Sequence, residues 1–296
     1  MLQTKGEKAF QLIAHLVMIL ETICVILPFV LLIMSSFTDE NELVAYGYSF
    51  WPNKFSIEAY KYLIKKGGSI FRAYGLTIAA TVVGTTIHLM MGSMLAFSLA
   101  LKNLPGKKFF SFYVFFTMLF SGGLVPTYLT YTNVFHIKNT FFALVVPYLM
   151  LSAIHVLLMR SFFSSSIPDA IYEAAEIDGA GLFTTYTKIV LPLGKPILVT
   201  IGLFAGLDYW NDWLNGLYFM SDQKMYGIQT LLYRILEDIR TLASSAMGSA
   251  AATSIKIPSV SIRMAIAFVA IIPIIIIYPF LQKYFQEGIA LGAVKG

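Results

Sequence analysis

The sequence is poor in charged residues, since Asp, Glu, Lys and Arg make up only 12% of its 296 residues. Soluble domains typically carry about 25%. Hydrophobic residues make up 57% of the chain, so ionisable groups cannot cover the surface of a water-soluble globule of this size. The shortage excludes an ordinary soluble domain and indicates a protein that lies in a bilayer.

Potential metal ligands are also scarce. The chain has one cysteine, Cys24, and four histidines, His15, His88, His136 and His155. A single cysteine cannot build a disulfide framework or a cysteine-ligated metal site, and the histidines show no spacing typical of a ligand set. The sequence therefore predicts no metal site and no cofactor bound by this chain.

Motifs for catalysis are missing as well. No glycine-rich loop ends in Gly-Lys-Ser or Gly-Lys-Thr, so the chain cannot be an ATPase of that type. No Ser/His/Asp or paired-carboxylate constellation is present that would act on a substrate. The net charge of +5 comes from basic residues in short connectors, which favours lipid headgroups over nucleic acid as their neighbours. We expect no catalytic residues and no nucleic-acid partner.

Long apolar runs dominate what is there. Six stretches are long enough to cross about 30 Å of hydrocarbon, and they lie at 12–35, 72–100, 109–131, 140–160, 196–220 and 259–281. The first exceeds the apolar region of a signal peptide and lacks a cleavage site, so we expect it to be retained. The pattern predicts an all-α integral membrane protein with six transmembrane helices.

Orientation follows from the shortest loop, which contains Lys102, Lys107 and Lys108. Short basic loops stay in the cytoplasm. This predicts that both termini and the connector at 161–195 are cytoplasmic. The loops at 37–71, 132–139 and 221–258 are then outside.

The connector at 161–195 is the least membrane-like part of the chain. Its residues 166–169, Ser-Ile-Pro-Asp, combine a capping serine, a proline in the first turn and an acid three residues after the serine, which is typical of a helix start. The helix that follows places Tyr172 and Ala175 on one face. We expect this short helix to have a role outside the bilayer.

The same connector carries two acids three residues apart, Glu173 and Glu176, followed by Gly179 in a segment that permits a sharp reversal. Its spacing resembles, without a gap, the EAA signature of permease subunits in binding-protein-dependent ABC importers. The residues that carry the match are Glu173, Ala174, Ala175, Gly179, Ile189, Leu191 and Pro192.

Other segments resemble the smaller permease of the maltose-type sugar importers. They are 160–163, Trp210 with Asn211, and the C-terminal residues 282–296, and residues 121–128 resemble a subgroup associated with complex oligosaccharides. The resemblance implies a type I ABC importer permease, with residues 1–71 as an N-terminal segment, 72–281 as the permease core and 282–296 as a cytoplasmic tail.

The resemblance also implies partners and a site. The permease would form a heterodimer with a second homologous permease and bind two cytoplasmic ATPase subunits, which use ATP and Mg²⁺. It would receive a carbohydrate from an extracellular or periplasmic binding protein at the bacterial cytoplasmic membrane. The connector would be the coupling helix that contacts the ATPase, through Glu173, Ala174, Ala175, Asp178, Gly179, Ile189, Leu191 and Pro192.

A polar stretch in the fifth predicted span suggests a substrate pathway, because such residues must face protein or water. Aromatic faces and amides suit sugars, so the candidates are Tyr209, Trp210, Asn211, Trp213 and Asn215, with Tyr128 and Asn133 on the third span. An aromatic belt at the outer interface explains the same residues equally well. Both interpretations stay open here.

Three further polar residues lie inside apolar spans. An acid such as Glu21 is energetically costly inside a membrane, so it either lines the pathway or bonds to a neighbouring helix, and we favour the second over an ion site. His88 and His155 are expected to be hydrogen-bonded structural residues. The segment at 242–253 is either a spacer or a contact for the binding protein.

Two other functions remain open from sequence. One is an ion-coupled secondary transporter of a small solute, which would be expected to show paired midplane charges and internal repeats. The other is a membrane enzyme acting on a lipid-linked sugar, for which Asp208 with Asp212 is a poor acidic pair.

Overall fold

The computed structural model describes residues 5–65, 67–246 and 259–293, and within these ranges the chain forms helices and no strand. The α-helices are α1 (Lys5–Ser36), α2 (Glu40–Tyr46), α3 (Glu58–Lys65), α4 (Gly67–Ala100), α5 (Lys107–Leu119), α6 (Leu124–Leu129), α7 (Phe142–Val145), α8 (Ala153–Ser166), α9 (Asp169–Ile177), α10 (Leu182–Thr185), α11 (Leu191–Leu193), α12 (Lys195–Asn211), α13 (Leu214–Phe219), α14 (Ile228–Ala246) and α15 (Ser259–Ala293). Short π-helical turns occupy Thr130–Val134 and Tyr186–Val190, and a 3-10 turn occupies Gln223–Met225.

Contacts divide the chain into two compact units. The first consists of Met1–Gly68 with Arg234–Pro273, and the second of Ser69–Tyr233 with Ile274–Gly296. The predicted domains are consecutive segments with boundaries at 71 and 281, whereas each unit combines two separate segments. The predicted boundaries stay a prediction.

Three helices are long and apolar enough to cross a membrane, namely Lys8–Ser36 in α1, Gly67–Ala100, and Val260–Ile277 in α15. Two bent pairs also qualify when each is taken as one span. Residues 107–119 meet 124–134 at 113°, and residues 182–193 meet 195–211 at 81°. The described residues therefore offer three to five spans by length and composition, and the count of six stays a prediction.

Three of the predicted spans are not continuous helices. The stretch 109–131 breaks at 120–123, and 196–220 breaks after Asn211. The stretch 140–160 contains only the four-residue α7, a non-helical segment at 146–152 and the start of α8. Pro147 and Tyr148, whose φ is 64°, interrupt it, because proline lacks an N–H donor and a left-handed residue cannot continue a helix. Mean apolarity does not reveal such breaks.

In the first unit, two glutamates of α2 organise the segment after α1. The carboxylate of Glu40 accepts hydrogen bonds from the backbone N–H groups of Val260 and Ser261, each 2.9 Å, and from the Ser261 hydroxyl. The carboxylate of Glu42 accepts bonds from Asn53 and from the backbone N–H of Lys54. Glu40 thus caps the N-terminus of α15, where free N–H groups favour a negative charge.

Glu40→Ala is expected to release this cap. Bonds to a charged group contribute about 1.5–3 kcal/mol, so hydrogen-exchange protection of the Val260 and Ser261 amides should fall about tenfold or more. Glu42→Ala is the matched control, since it removes an acid from the same helix but should expose only the amides at 53 and 54. Equal protection at 260 and 261 in both variants would contradict the capping role.

The second unit has two apolar clusters. One surrounds Phe97 and Phe163 and includes Met159, Val190 and Ile201, all of them buried. The other surrounds Leu144 and Phe219 and includes Ala80, Val145, Tyr209 and Tyr226. The first cluster supports the polar connector, and the second holds the broken segment around α7.

Candidate functional site

The connector helix α9 begins at Asp169, directly after Pro168, whose backbone is extended. The sequence predicts a serine cap here, but α8 continues through Ser166 and no side chain caps α9. Proline is tolerated at this position because the first N–H groups of a helix have no intrahelical partner, so the N–H that proline lacks is not needed there. Only two non-helical residues therefore separate α8 from α9.

The end of α9 explains the glycine of the signature. The N–H of Gly179 donates to the carbonyl of Glu176 at 3.0 Å, and the N–H of Ala180 donates to the carbonyl of Ala175 at 2.9 Å. These two bonds define a Schellman motif, which requires a left-handed residue. Gly179 has φ 73°, and a Cβ added there would meet nothing within 4 Å. The glycine is needed for its backbone conformation and not for close packing inside this subunit.

Gly179→Ala is expected to destabilise the end of α9 by about 1 kcal/mol, because an L side chain is strained at positive φ. Exchange of the Gly179 and Ala180 amides would report the change. Gly181→Ala is the matched control, since Gly181 has open space and an ordinary φ of −69°. If both alanines had the same effect, the left-handed cap would not explain Gly179.

One face of α9 packs against the first cluster of the second unit. Ala175 is buried, Ile171 and Tyr172 are half-buried, and the ring of Tyr172 stacks on Phe97 at 6.4 Å. Burial also raises the pKa of the Tyr172 hydroxyl, with a further contribution from Asp169. The predicted face of Tyr172 and Ala175 is therefore confirmed, and it fixes α9 to the membrane helices.

The opposite face of α9 is exposed. It presents Glu173, Ala174 and Glu176, and Ile177 is 86% exposed. Leu182 and Phe183 at the start of α10 are exposed too. Large apolar side chains exposed together on a fixed short helix are typical of a docking face, and the acids beside them suit a basic partner.

An ion pair joins α9 to the loop before α5. The Nζ of Lys102 lies 2.6 Å from a carboxylate oxygen of Asp169. Asp169 raises the pKa of Lys102, mainly through this hydrogen bond, and Glu173 adds a smaller effect. Both side chains are exposed, so the pair adds little stability. The sequence predicted the membrane orientation of the chain from Lys102, but it did not predict the ion pair with Asp169.

The second half of the signature forms a bend. Ile189 belongs to the π-helical turn, and Leu191 and Pro192 form α11 before Gly194 and α12. A Cβ on Gly194 would lie 2.6 Å from the Phe163 ring, so only glycine fits the bend. These residues shape the path from the connector into α12, and their part in coupling stays a prediction.

The candidates for a substrate pathway separate into two groups. Tyr209, Trp210 and Asn215 are buried. The Tyr209 hydroxyl donates to the carbonyl of Val145 at 2.8 Å, and the Asn215 amide donates to the carbonyl of Pro147 at 2.9 Å. Inside this subunit Tyr209 satisfies a carbonyl of the interrupted segment, and Asn215 adds a second donor to the Pro147 carbonyl, which also accepts from the Leu149 N–H at 2.8 Å.

The other candidates are accessible. Asn211 and Asn133 are exposed, and the ring of Trp213 stacks on Tyr233 at 4.7 Å. Tyr128 is half-buried and stacks on Phe219. Its hydroxyl accepts a hydrogen bond from Lys138 at 2.8 Å, a neighbour that sequence reasoning did not identify.

The two buried histidines interact with each other. Nδ1 of His88 lies 2.8 Å from the carbonyl oxygen of Leu149, and Nδ1 of His155 lies 2.9 Å from Nε2 of His88. A carbonyl only accepts, so His88 donates from Nδ1 and accepts at Nε2 from His155. The prediction of structural hydrogen bonds is confirmed. Among the described residues, no group of three or more His, Cys, Asp or Glu could hold a metal.

The chain belongs to a family of membrane transport components. Residues 88–291 match the family described as binding-protein-dependent transport system inner membrane component, and the match includes the whole connector. The protein is accordingly a helical permease of a binding-protein-dependent ABC importer.

Similar proteins cover nearly the whole chain. The polygalacturonan/rhamnogalacturonan transport system permease protein YtcP of Bacillus subtilis is 32% identical over 98% of this chain and 99% of its own length. Protein LplC of Bacillus subtilis is 34% identical over 92% and 90%. The arabinooligosaccharides transport system permease protein AraQ of Halalkalibacterium halodurans is 26% identical over 92% and 91%.

A solved structure has the same fold. The crystal structure of a bacterial ABC transporter involved in the import of the acidic polysaccharide alginate contains a chain with a TM-score of 0.77 to this one. The two are 24% identical, and the match covers 96% of this chain and 99% of that chain. The predicted all-α permease fold is confirmed.

Proposed function

We propose that this permease carries an oligosaccharide across the membrane, driven by ATP hydrolysis on cytoplasmic partner subunits that α9 contacts. The family provides the transport role and the membrane location. Relatives named for polygalacturonan/rhamnogalacturonan and for arabinooligosaccharides support a sugar of several residues. ATP and Mg²⁺ act on the partner, since the sequence lacks a phosphate-binding loop.

The observation that carries the proposal is the architecture of α9. The helix is anchored by Ile171 and Tyr172, ends in a Schellman motif at Gly179, and is exposed at Glu173. A helix that transmits movement must be fixed on one side and free on the other. In our proposal, Glu173 pairs with a basic group of the ATPase, and Ala174 permits close approach.

Alternating access follows from this arrangement. Closure of the ATPase dimer pulls on α9, and its packing against Phe97 passes the displacement to α4. The subunit then changes between inward-open and outward-open states. ATP can shift this equilibrium only because the ATPase contacts α9 differently in the two states.

The remaining partners are a second, homologous permease and an extracellular or periplasmic sugar-binding protein, with both termini of this chain in the cytoplasm. The apolar window of α1 is unburied within this subunit, which leaves its surface available to the bilayer and to another chain. Tyr128, Asn133, Asn211 and Trp213 are the pathway candidates that remain accessible.

The secondary-transporter alternative gains no support from the geometry. It requires a second charge beside Glu21 in the membrane. Among the described residues no hydrogen bond or ion pair of Glu21 is found. Membership in the importer family favours ATP-driven uptake instead.

Copurification followed by an ATPase assay tests the proposal. The chain would be expressed with the neighbouring permease, ATPase and binding-protein genes, and neutral and uronate-containing oligosaccharides would be added through the binding protein. We expect ATPase subunits to copurify and one sugar class to stimulate hydrolysis. A complex without an ATPase, or one that no sugar stimulates, would contradict the proposal.

A further inference from the structure

A cavity of about 450 Å³ lies between α4, α5 and α8. Its wall is mainly hydrocarbon, and its lining includes Leu95 on α4, Val114 and Thr117 on α5, and Ala153 and Val156 on α8. The Thr117 hydroxyl donates to the carbonyl of Val114 at 2.8 Å, so it offers the cavity no free donor. The cavity therefore suits an apolar occupant, and its volume lies in the range of about 300–1,000 Å³ typical of ligand sites.

The cavity follows the axis of α5. Its lining extends from Phe109 to Thr117, which corresponds to about 12 Å of helix at 1.5 Å per residue. One leaflet of a bilayer contains about 15 Å of hydrocarbon. Phe109 and Tyr113 are exposed, so the lining reaches the surface of this subunit. These dimensions match one lipid chain that lies along α5 within a single leaflet.

Basic residues stand at one end of this cavity. Arg160 lies one turn beyond Val156 on α8. Lys107 lies one turn before Phe110 on α5, so each basic residue shares a helix face with the lining. Both side chains are half-buried, and their charges are close enough to repel each other. The cavity is thus apolar along its length and positively charged at the end next to the loop at 101–106.

The two cations have donors to spare. Among the described residues, no hydrogen bond or ion pair of Arg160 is found. The Nζ of Lys107 donates to the carbonyls of Ala100 and Leu101 at 3.3 and 2.8 Å, which leaves one of its three N–H bonds. The acid at the start of α9 is already paired with Lys102. A half-buried guanidinium without a partner favours an anion, and its planar group of donors suits phosphate.

We propose that this cavity holds an acyl chain of an anionic phospholipid, whose phosphate is bound by Arg160 and Lys107. The lipid belongs to the leaflet next to the loop at 101–106, which is the cytoplasmic leaflet in the predicted orientation. Basic pockets between membrane helices on that side bind anionic headgroups. A helix of another subunit is the competing occupant, but it must supply its own acid to Arg160. A lipid matches the apolar wall and the charged end together.

Photolabelling tests the inference on the full chain with the subunits that copurify with it. The protein is reconstituted in phosphatidylcholine nanodiscs that contain phosphatidylglycerol with a photoreactive diazirine in one acyl chain, and labelled peptides are located by mass spectrometry. We expect labels within 109–117 and 151–156 that unlabelled phosphatidylglycerol removes and additional phosphatidylcholine does not. No label at these residues, or equal competition by the two lipids, would overturn the inference. The assay uses neither sugar nor ATP, so its outcome is independent of the proposed function.

Three variants separate the headgroup from the chain. Arg160→Gln should lower the specific labelling about fivefold, as for one basic side chain near a membrane surface. Ala153→Leu fills the cavity and should lower it at least as strongly without a change of charge. Lys108→Gln is the matched control, because Lys108 is exposed on the side of α5 opposite the lining, and we expect no change.

Equal labelling of Arg160→Gln and Lys108→Gln would show that no phosphate is bound at Arg160, and unchanged labelling of Ala153→Leu would show that the chain lies outside the cavity. Either result would overturn the inference. The label map of the wild-type protein decides the inference even where a variant fails to assemble.

Discussion

Glu173→Lys is expected to abolish coupling between ATP hydrolysis and transport while the complex still assembles. The substitution reverses the charge at the exposed centre of α9 but leaves its anchor at Ile171 and Tyr172 untouched. Losing one partner of a desolvated charge pair costs about 2–5 kcal/mol, so sugar-stimulated ATPase activity and uptake should each fall at least about tenfold.

Asp238→Lys is the control for the change in charge. Asp238 is also exposed, but it lies on α14, which belongs to the segment predicted to be outside. We expect normal coupling in this variant. If Glu173→Lys assembled and remained as well coupled as Asp238→Lys, Glu173 would not belong to the contact with the ATPase.

His88→Leu is expected to have the largest effect on stability. The substitution leaves two buried groups unpaired, the carbonyl of Leu149 and the N–H of His155. Each such group costs about 1–3 kcal/mol, so the free energy of unfolding in mixed micelles should fall by about 2 kcal/mol or more. Unfolding by a denaturing detergent would measure it.

A double-mutant cycle separates the interaction energy between His88 and His155 from the energy of their other contacts. His155→Leu should also destabilise, and the double variant should lose less than the sum of the two single losses, because the bond between the rings can be lost only once. His15→Gln is a control on an exposed histidine, for which we expect little change. Additive losses at His88 and His155 would contradict the hydrogen-bonded chain.

Local sequence signals predicted the connector well. The exposed acids, the face of Tyr172 and Ala175 and the reversal at Gly179 all depend on residues within one or two turns of each other. The serine cap was the exception, because α8 extends further than its composition indicates and Pro168 takes the position instead. Neighbouring elements set such boundaries, and a short pattern does not contain them.

Contacts between distant residues could not be predicted in this way. His88 and His155 are 67 positions apart, and each looked like an isolated polar residue until the fold joined them. The polar stretch in the fifth predicted span shows the same limit. Polarity indicated that Tyr209 and Asn215 avoid lipid, but only the breaks near Val145 and Pro147 explain why they point into the subunit.

The interrupted segments have a related cause. Hydropathy sums over a window, so 140–160 has the composition of a span although a left-handed Tyr148 divides it. The broken backbone is tolerated because side chains and neighbouring helices satisfy its polar groups.

Uptake into sealed membrane vesicles tests the central claim most directly. Vesicles containing the complete complex would be loaded with ATP and Mg²⁺ inside, and labelled oligosaccharide with its binding protein would be added outside. We predict uptake that needs both ATP and the binding protein and that persists when ionophores abolish proton and sodium gradients. Uptake that continued without ATP and stopped with the ionophores would contradict an ATP-driven importer and support ion coupling.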